Sequence, residues 1–155
     1  MPESPASLYD RDFYAWANEQ AALLRAGKLA AADIDHIAEE IESMGRTEKR
    51  ELVSRITVLL LQLLKWQFQP GHRGGRWIAT ITVQRDDLSD HLRDNPSLKA
   101  KLDEAVGDAY RKAAILAVGE TGLPKSTFPD RCPWSCSQIT DPGFWPGGDG
   151  PTPTA

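Results

Sequence analysis

Residues 52–66 of the 155-residue chain read LVSRITVLLLQLLKW, and this stretch decides the fold. Apolar residues recur in it at alternating spacings of four and three, the pattern of a helix that packs against a partner helix: Leu52, Ile56, Leu59, Leu63 and Trp66. Further leucines add apolar surface on the other faces. Because a helix that is apolar nearly all round is surrounded by neighbours, the sequence predicts a central helix over about residues 47–68. Pro70 and Gly71 end it.

Four more helices are predicted from apolar residues at helical spacing. They cover about residues 12–26, 33–44, 75–94 and 95–116. Asp10 or Asp12 can cap the first of them, and Gly27 ends it. The second ends at Gly45, and Asn95 followed by Pro96 opens the last.

The segment 77–83 has the β-branched composition of a strand. Its spacing favours a helix instead, because Trp77 and Ile81 continue one helical stripe to Leu88 and Leu92. A single strand would also have no partner in this chain. The sequence therefore predicts a helix here.

Prolines follow apolar anchors after Gly122, where Leu123, Phe128 and Cys132 each precede one. Because proline cannot continue a helix, this region is predicted to be an irregular strap over the bundle, with one short helical turn within 133–139. The tail from residue 141 onward is rich in glycine and proline, and disorder is expected there unless Phe144 and Trp145 dock.

The predicted architecture is a single all-α domain, a bundle of about five helices with an irregular C-terminal strap. The domain is expected over residues 9–140, between an N-terminal lead at 1–8 and the disordered tail at 141–155.

The composition is that of a soluble globular domain, with 41% hydrophobic and 26% charged residues and a net charge of −4. No apolar run is long enough to span a bilayer, so no membrane association is expected. The first residues lack the basic start and apolar core of a secretory signal, and a cytoplasmic location is expected. Two cysteines do not make a disulfide framework.

The predicted second helix has an apolar stripe and a polar face. The stripe, expected to face the core, consists of Ile34, Ile37, Ala38, Ile41 and Met44. The polar face carries His36, Glu39 and Glu40, which could supply metal ligands or an acid–base pair, with Lys65 as an anion clamp if the second and third helices are neighbours. The alternative is a solvated helix face, which is the commoner arrangement. No metal and no cofactor are expected.

A basic island interrupts the acidic chain, because residues 62–85 contain four basic residues and no acidic one: Lys65, Arg73, Arg76 and Arg85. The arginines beside a glycine-rich loop and a helix start are a candidate anion-binding site. The island suits either a polyanion such as nucleic acid or the protein's own acidic second helix. Because Trp66 and Trp77 lie on core stripes, the internal partner is favoured.

Catalytic motifs are weak in this sequence. Cys132 and Cys136 are separated by three residues, which does not match the two-residue spacing of redox dithiols or zinc knuckles, and Cys132 is expected to be a small buried hydrophobe. No Ser-His-Asp or Cys-His arrangement stands out. The sequence therefore points away from an enzyme.

Four segments together resemble one known family: YDRDFYAW at 9–16, IAEEIESMG at 37–45, LLKWQFQP at 63–70, and FP at 128–129 with CPWS at 132–135. In order and spacing they are similar to the bacterial domain-of-unknown-function family twenty-nine, from about Tyr9 to Phe144. The resemblance implies an all-helical fold and no assigned activity. Gln62 departs from it, since related sequences often carry a histidine there, and Cys136 is particular to this chain.

Three functional hypotheses follow. The first is a non-catalytic helical interaction module of a bacterial cytoplasmic protein, forming a homo-oligomer or binding a protein partner. The second is a nucleic-acid-associated protein that uses the basic 65–85 segment. The third is an uncharacterised enzyme or metal protein centred on the acidic second helix.

Overall fold

The computed structural model describes residues 7–148 and 150, and this part of the chain forms α-helices and no β-strand. The helices are α1 (Leu8–Arg11), α2 (Phe13–Arg25), α3 (Ile34–Phe68), α4 (Gly75–Asp94), α5 (Leu102–Thr121) and α6 (Cys136–Thr140). The predicted all-α class is confirmed. Among the described helices, none combines the length and the apolar character that crossing a bilayer requires.

Two compact units divide the chain, residues 1–47 and residues 48–155. The first contains α1, α2 and the beginning of α3, and the second contains the rest. The single domain over 9–140 stays a prediction, because compact units of one chain need not fold independently.

Polar side chains cap the starts of the first two helices of the first unit. The hydroxyl of Ser7 accepts a hydrogen bond from the backbone N–H of Asp10 at the start of α1. Asp12 caps α2 by accepting from the N–H of Ala15 at 3.0 Å. The chain then leaves α2 through Gly27, whose φ of +73° is a conformation that glycine adopts at low cost. The predicted limits of this helix are therefore close to the observed ones.

The two helices predicted on either side of Gly45 are one continuous helix, α3, and the predicted break at Gly45 is wrong. A glycine inside a helix costs about 1 kcal/mol relative to alanine, which is too little to end a helix by itself. Gly45 does not take the positive φ of a helix-ending glycine, and no proline is present in α3.

Helix α4 has the predicted limits, and the segment 77–83 is helical within it. Helix α5 starts later than predicted. Pro96 opens a 3₁₀ segment, Pro96–Lys101, and the α-helix begins only at Leu102. It ends at Thr121 and is capped by Gly122, whose φ is +72°.

The core of the second unit forms around the later part of α3, as predicted for the central helix. The buried side chains of α3 there are Leu52, Ile56, Thr57, Leu59, Leu60, Leu61, Leu63, Leu64 and Trp66. Helix α4 adds Ile81 and Leu88, and α5 adds a largely alanine face. The buried apolar residues of α3, α4 and α5 belong to one cluster.

The C-terminal strap is anchored by buried apolar side chains, Phe128, Trp134 and Ile139. Helix α6 begins with a capping box between Ser135 and Gln138. Phe144 and Trp145 pack against the core, the ring centroid of Trp145 lying 4.6 Å from that of Trp66. Disorder of the tail was expected unless Phe144 and Trp145 dock, and both of them do. Residue 149 and residues 151–155 of the tail lie outside the described residues, as do residues 1–6 of the lead.

Candidate functional site

The beginning of α3 brings two of the predicted site residues into contact with the N-terminal helices. The rings of His36 and Tyr9 stack, with centroids 4.0 Å apart and an interplanar angle of 9°. The hydroxyl of Tyr9 donates a short hydrogen bond to the carboxylate of Glu40. Glu40 is half-buried, whereas Glu39 is exposed. The polar face is therefore solvated at Glu39 but packed against α1 at His36 and Glu40.

Asp33 organises the centre of this contact. Its carboxylate lies 2.6 Å from Nδ1 of His36 and accepts a hydrogen bond from the indole Nε1 of Trp16 at 3.1 Å. Its backbone N–H donates to the side-chain carbonyl of Gln20 at 2.7 Å. We call the set Tyr9, Trp16, Gln20, Asp33, His36 and Glu40 the aromatic–carboxylate cluster.

Proton affinities in the cluster are shifted by these contacts. The hydrogen bond to Asp33 raises the pKa of His36 above its ordinary value of 6.5, and the same bond lowers the pKa of Asp33 below 3.8. The pKa of Tyr9 is raised to about 12, first by its hydrogen bond to Glu40 and then by desolvation. His36 and Asp33 thus form an ion pair in mildly acidic solution.

We expect Asp33→Asn to lower the pKa of His36 towards 6.5, because asparagine keeps a cap oxygen for the helix but removes the negative charge. An NMR titration of the His36 ring measures the shift. Glu39→Gln is the matched control, since Glu39 raises the pKa of His36 through space only and its loss should have a smaller effect. An unchanged His36 pKa in Asp33→Asn contradicts the ion pair.

Stability should follow the same titrations. Because the folded-state pKa of His36 is raised, the stabilisation by the pair is complete below pH 6.5 and is lost as the pH rises through the raised value. Because the pKa of Asp33 is lowered, the contribution of Asp33 to the free energy of unfolding is present above pH 3.8. This contribution is lost as the pH falls through the lowered pKa.

The cluster is a packing contact between helices, judged by its chemistry. The described contacts contain no nucleophile next to the His36–Asp33 pair. Glu40 is matched by the Tyr9 hydroxyl, and Asp33 by three donors. Tyr9 lies 31 residues from Glu40 in the chain, so sequence reasoning missed it; the Asp33 and His36 spacing of three was the only local signal.

Lys65, the predicted anion clamp, has its partners in the second unit. Its Nζ lies 3.3 Å from a carboxylate oxygen of Glu120 and 5.0 Å from the ring centroid of Trp77. The contacts found for His36 and Glu40 are all with residues of the first unit. His36, Glu40 and Lys65 are therefore each matched inside their own unit.

Internal hydrogen bonds use two of the three predicted anion-binding arginines. Nε of Arg73 donates to the carbonyl of Trp66 at 2.7 Å, and Nε of Arg85 donates to the carbonyl of Ile139 at 2.9 Å. Arg85 is 5% exposed, and burial lowers the pKa of its guanidinium below the ordinary value.

Arg76 is exposed and lies with Lys65, Gln62, Trp77 and Thr80 around a polar cavity of about 390 Å³. The structure thus brings Arg76 to Lys65 and places Arg73 and Arg85 elsewhere. The internal partners of the basic island are backbone carbonyls and Glu120, where the sequence suggested the acidic second helix.

Metal and thiol chemistry finds little support among the described residues. Carboxylate oxygens of Asp86, Asp87 and Asp90 lie within 4.8 Å of one another, but Asp87 pairs with Arg55 at 3.6 Å and Asp90 pairs with Arg93. Both cysteines are free, and burial raises the pKa of each thiol, that of Cys136 to about 11. Neutral thiols are poor nucleophiles and poor metal ligands.

The apolar stripe of the first unit does not face a core, and the expectation that it does is wrong. Ile34, Ile41 and Met44 are 51%, 62% and 69% exposed, and Ile37 is half-buried. The side of α3 that packs against α1 and α2 is the side with His36 and Glu40. Stacked rings and hydrogen-bonded polar groups form the contact that the sequence pattern predicted for the isoleucines.

A family model described as Domain of unknown function DUF29 matches residues 8–145. The comparisons with curated proteins and with solved structures find no match. The matched range begins with α1 and ends at Trp145, so it contains every helix among the described residues. The resemblance carried by the four sequence segments is confirmed, and the chain belongs to the DUF29 family, a family of domains of unknown function.

Proposed function

We propose that the protein is a non-catalytic helical interaction module whose first unit pairs with the same unit of a second copy. The observation that carries the proposal is the exposure of the stripe on α3. Seven of the eleven large hydrophobic side chains that are exposed in the described chain lie within residues 13–44. Exposed apolar side chains concentrated in one short segment are typical of an interaction surface.

The burial within the first unit supports the same conclusion. Trp16 is its one buried apolar side chain among the described residues, and Gln20 is the buried polar one. A segment of about 40 residues rarely buries enough apolar surface to be stable alone. Association would cover the stripe and supply the missing burial.

The spacing of the stripe favours a second copy as the partner. Ile34, Ile37, Ile41 and Met44 follow one another at intervals of three, four and three, which reads the same in both directions. An antiparallel copy related by a two-fold axis would therefore match every member with an apolar one, Ile34 with Met44 and Ile37 with Ile41. Ala38 lies beside the middle of the stripe, where its small side chain permits close approach.

The apolar character of the stripe gives the association a characteristic salt dependence. Glu42, next to Ile41 in the sequence, lies 3.9 Å from Arg46 of the same helix, so its charge is matched within one copy. A dimer held by buried apolar side chains should therefore persist as the ionic strength rises. A partner bound mainly by charge should dissociate instead.

We expect Ile41→Glu to abolish dimers that the wild-type chain forms at micromolar concentration, because it places two new charges in an apolar contact. Sedimentation velocity at two salt concentrations measures the association. Val83→Glu on α4 is the matched control, since Val83 is 54% exposed and lies outside the stripe. A monomeric wild-type chain, or a dimer that Ile41→Glu leaves intact, contradicts the proposal.

The nucleic-acid hypothesis has less support, because Arg73 and Arg85 are engaged with backbone carbonyls and Lys65 with Glu120. Within the basic island, Arg76 alone would be left for a phosphate backbone, and single contacts give little affinity. The enzyme hypothesis is supported only by the His36–Asp33 pair, which has no reacting group beside it in the described chain.

A further inference from the structure

An apolar groove runs along α5 in the second unit. Its volume is about 680 Å³, which lies in the range of small-molecule sites. Helix α5 forms one wall of the groove from Gly107 to Val118, a distance of about 16 Å at the rise of an α-helix. The other wall is the strap, since Phe128 and Pro129 lie across from α5 and the Tyr110 hydroxyl donates to the Pro129 carbonyl.

The walls of the groove are apolar. Ala114, Ile115, Val118 and Phe128 are among its lining residues, and the small residues Gly107 and Ala114 leave room for an occupant. The Tyr110 hydroxyl is already hydrogen-bonded to the protein. An occupant would therefore contribute a hydrocarbon portion along most of this length.

Three cations border this apolar surface: Arg111, Lys125 and Arg131. All three are exposed, and within the described residues none lies at ion-pair distance from a carboxylate. Asp130 is the single acidic residue in the lining. The groove therefore combines a hydrocarbon surface with an excess of positive charge, which complements an anionic head group on an apolar chain.

We propose that this groove binds a long-chain carboxylate, with its carboxylate paired with Arg111 and Arg131 and its acyl chain running along α5 past Ala114 and Val118. Ile115 is 65% exposed, so one side of the bound acyl chain would face water. This site lies in the second unit and does not rest on the dimer proposed above.

The test is isothermal titration of the full chain with laurate below its micellar concentration. We expect saturable binding with one laurate per chain. Shortening the chain should weaken it by about fourfold per methylene, the factor for burying one CH₂ group. The neutral alcohol dodecanol should bind at least about tenfold more weakly, because it lacks the charge that the arginines pair with.

Matched variants separate the groove from the rest of α5. Arg111→Glu should weaken laurate binding by about tenfold or more, whereas Lys112→Glu, which changes the charge of an exposed residue outside the lining, should not. Ile115→Asn should weaken binding, whereas Leu116→Asn, at an exposed position outside the lining, should not. All four side chains are exposed, so the variants should fold.

Four results would overturn the proposal. The first is the absence of saturable laurate binding to the wild-type chain. The second is equal binding of dodecanol, and the third is equal effects of Arg111→Glu and Lys112→Glu, since either would indicate nonspecific adsorption. The fourth is dissociation of wild-type dimers by laurate, which would assign the groove to the apolar stripe of a second copy rather than to a fatty acid.

Discussion

Leu60→Ala is expected to lower the free energy of unfolding by about 3 kcal/mol, within the range measured for leucine-to-alanine changes in cores. Leu60 is completely buried in α3, where the helices of the second unit meet. Alanine would lose the transfer free energy of the missing methyl and methylene groups and would leave a cavity that close-packed neighbours cannot fill. In a chain of this length the midpoint of thermal unfolding should fall by about 6–12 °C.

Urea denaturation followed by circular dichroism measures the effect of Leu60→Ala. Val58→Ala is the matched control on the same helix, because Val58 is 40% exposed and its truncation should cost less than about 1 kcal/mol. The dependence on urea should keep its slope in both variants, since the surface exposed on unfolding hardly changes. Equal losses in the two variants would contradict the central place of α3.

The second unit was the more predictable part of the fold, and the reason is its burial. Leu52, Ile56 and Leu59 follow a helical period and are completely buried, so the sequence pattern and the packing agree. The same agreement places α4 at its predicted limits, because a helical period outweighed the β-branched composition of 77–83. Where the residues that follow a helical period are also the buried ones, periodicity alone predicts both the helix and its buried face.

The first unit was less predictable, because an apolar stripe shows that a helix has an apolar face without showing what covers it. The stripe with Ile34 and Ile41 is exposed, and α1 and α2 pack against the face with His36. That packing depends on the Tyr9 hydroxyl meeting Glu40, a contact between residues far apart in sequence. Neither spacing nor charge could identify it.

Predictions that rested on the type of a single residue were also less reliable. Gly45 was assigned a helix end, but its conformational cost is small compared with the contacts of a 35-residue helix. The arginines of the basic island were candidates for an anion or, in preference, for the acidic second helix, yet Arg85 is buried and binds carbonyl oxygens. A charge pattern does not show whether an arginine binds an anion or a backbone carbonyl, because every residue carries a carbonyl and only the fold decides which ones lie near the arginine.

Arg85→Ala is expected to lower the free energy of unfolding by about 3 kcal/mol, a second large effect with a different cause. The guanidinium of Arg85 donates to the carbonyls of Ile139 and Gln138 at 2.9 and 3.4 Å, in the last turn of α6. It also lies 5.7 Å from the ring centroid of Trp145. Alanine would leave these carbonyls without a donor and remove the cation–π contact.

The loss should be concentrated in the C-terminal strap, because a helix of five residues such as α6 cannot persist without tertiary contacts. Hydrogen exchange should therefore accelerate over residues 136–146 in Arg85→Ala while residues 52–66 keep most of their protection. Arg93→Ala on the same helix is the control, since its side chain is 72% exposed and its pair with Asp90 is worth about 1 kcal/mol at most. Arg85→Lys tests the geometry, because one ammonium keeps the charge without the planar fork of donors. Full protection of α6 in Arg85→Ala would show that the strap is held by its apolar anchors alone.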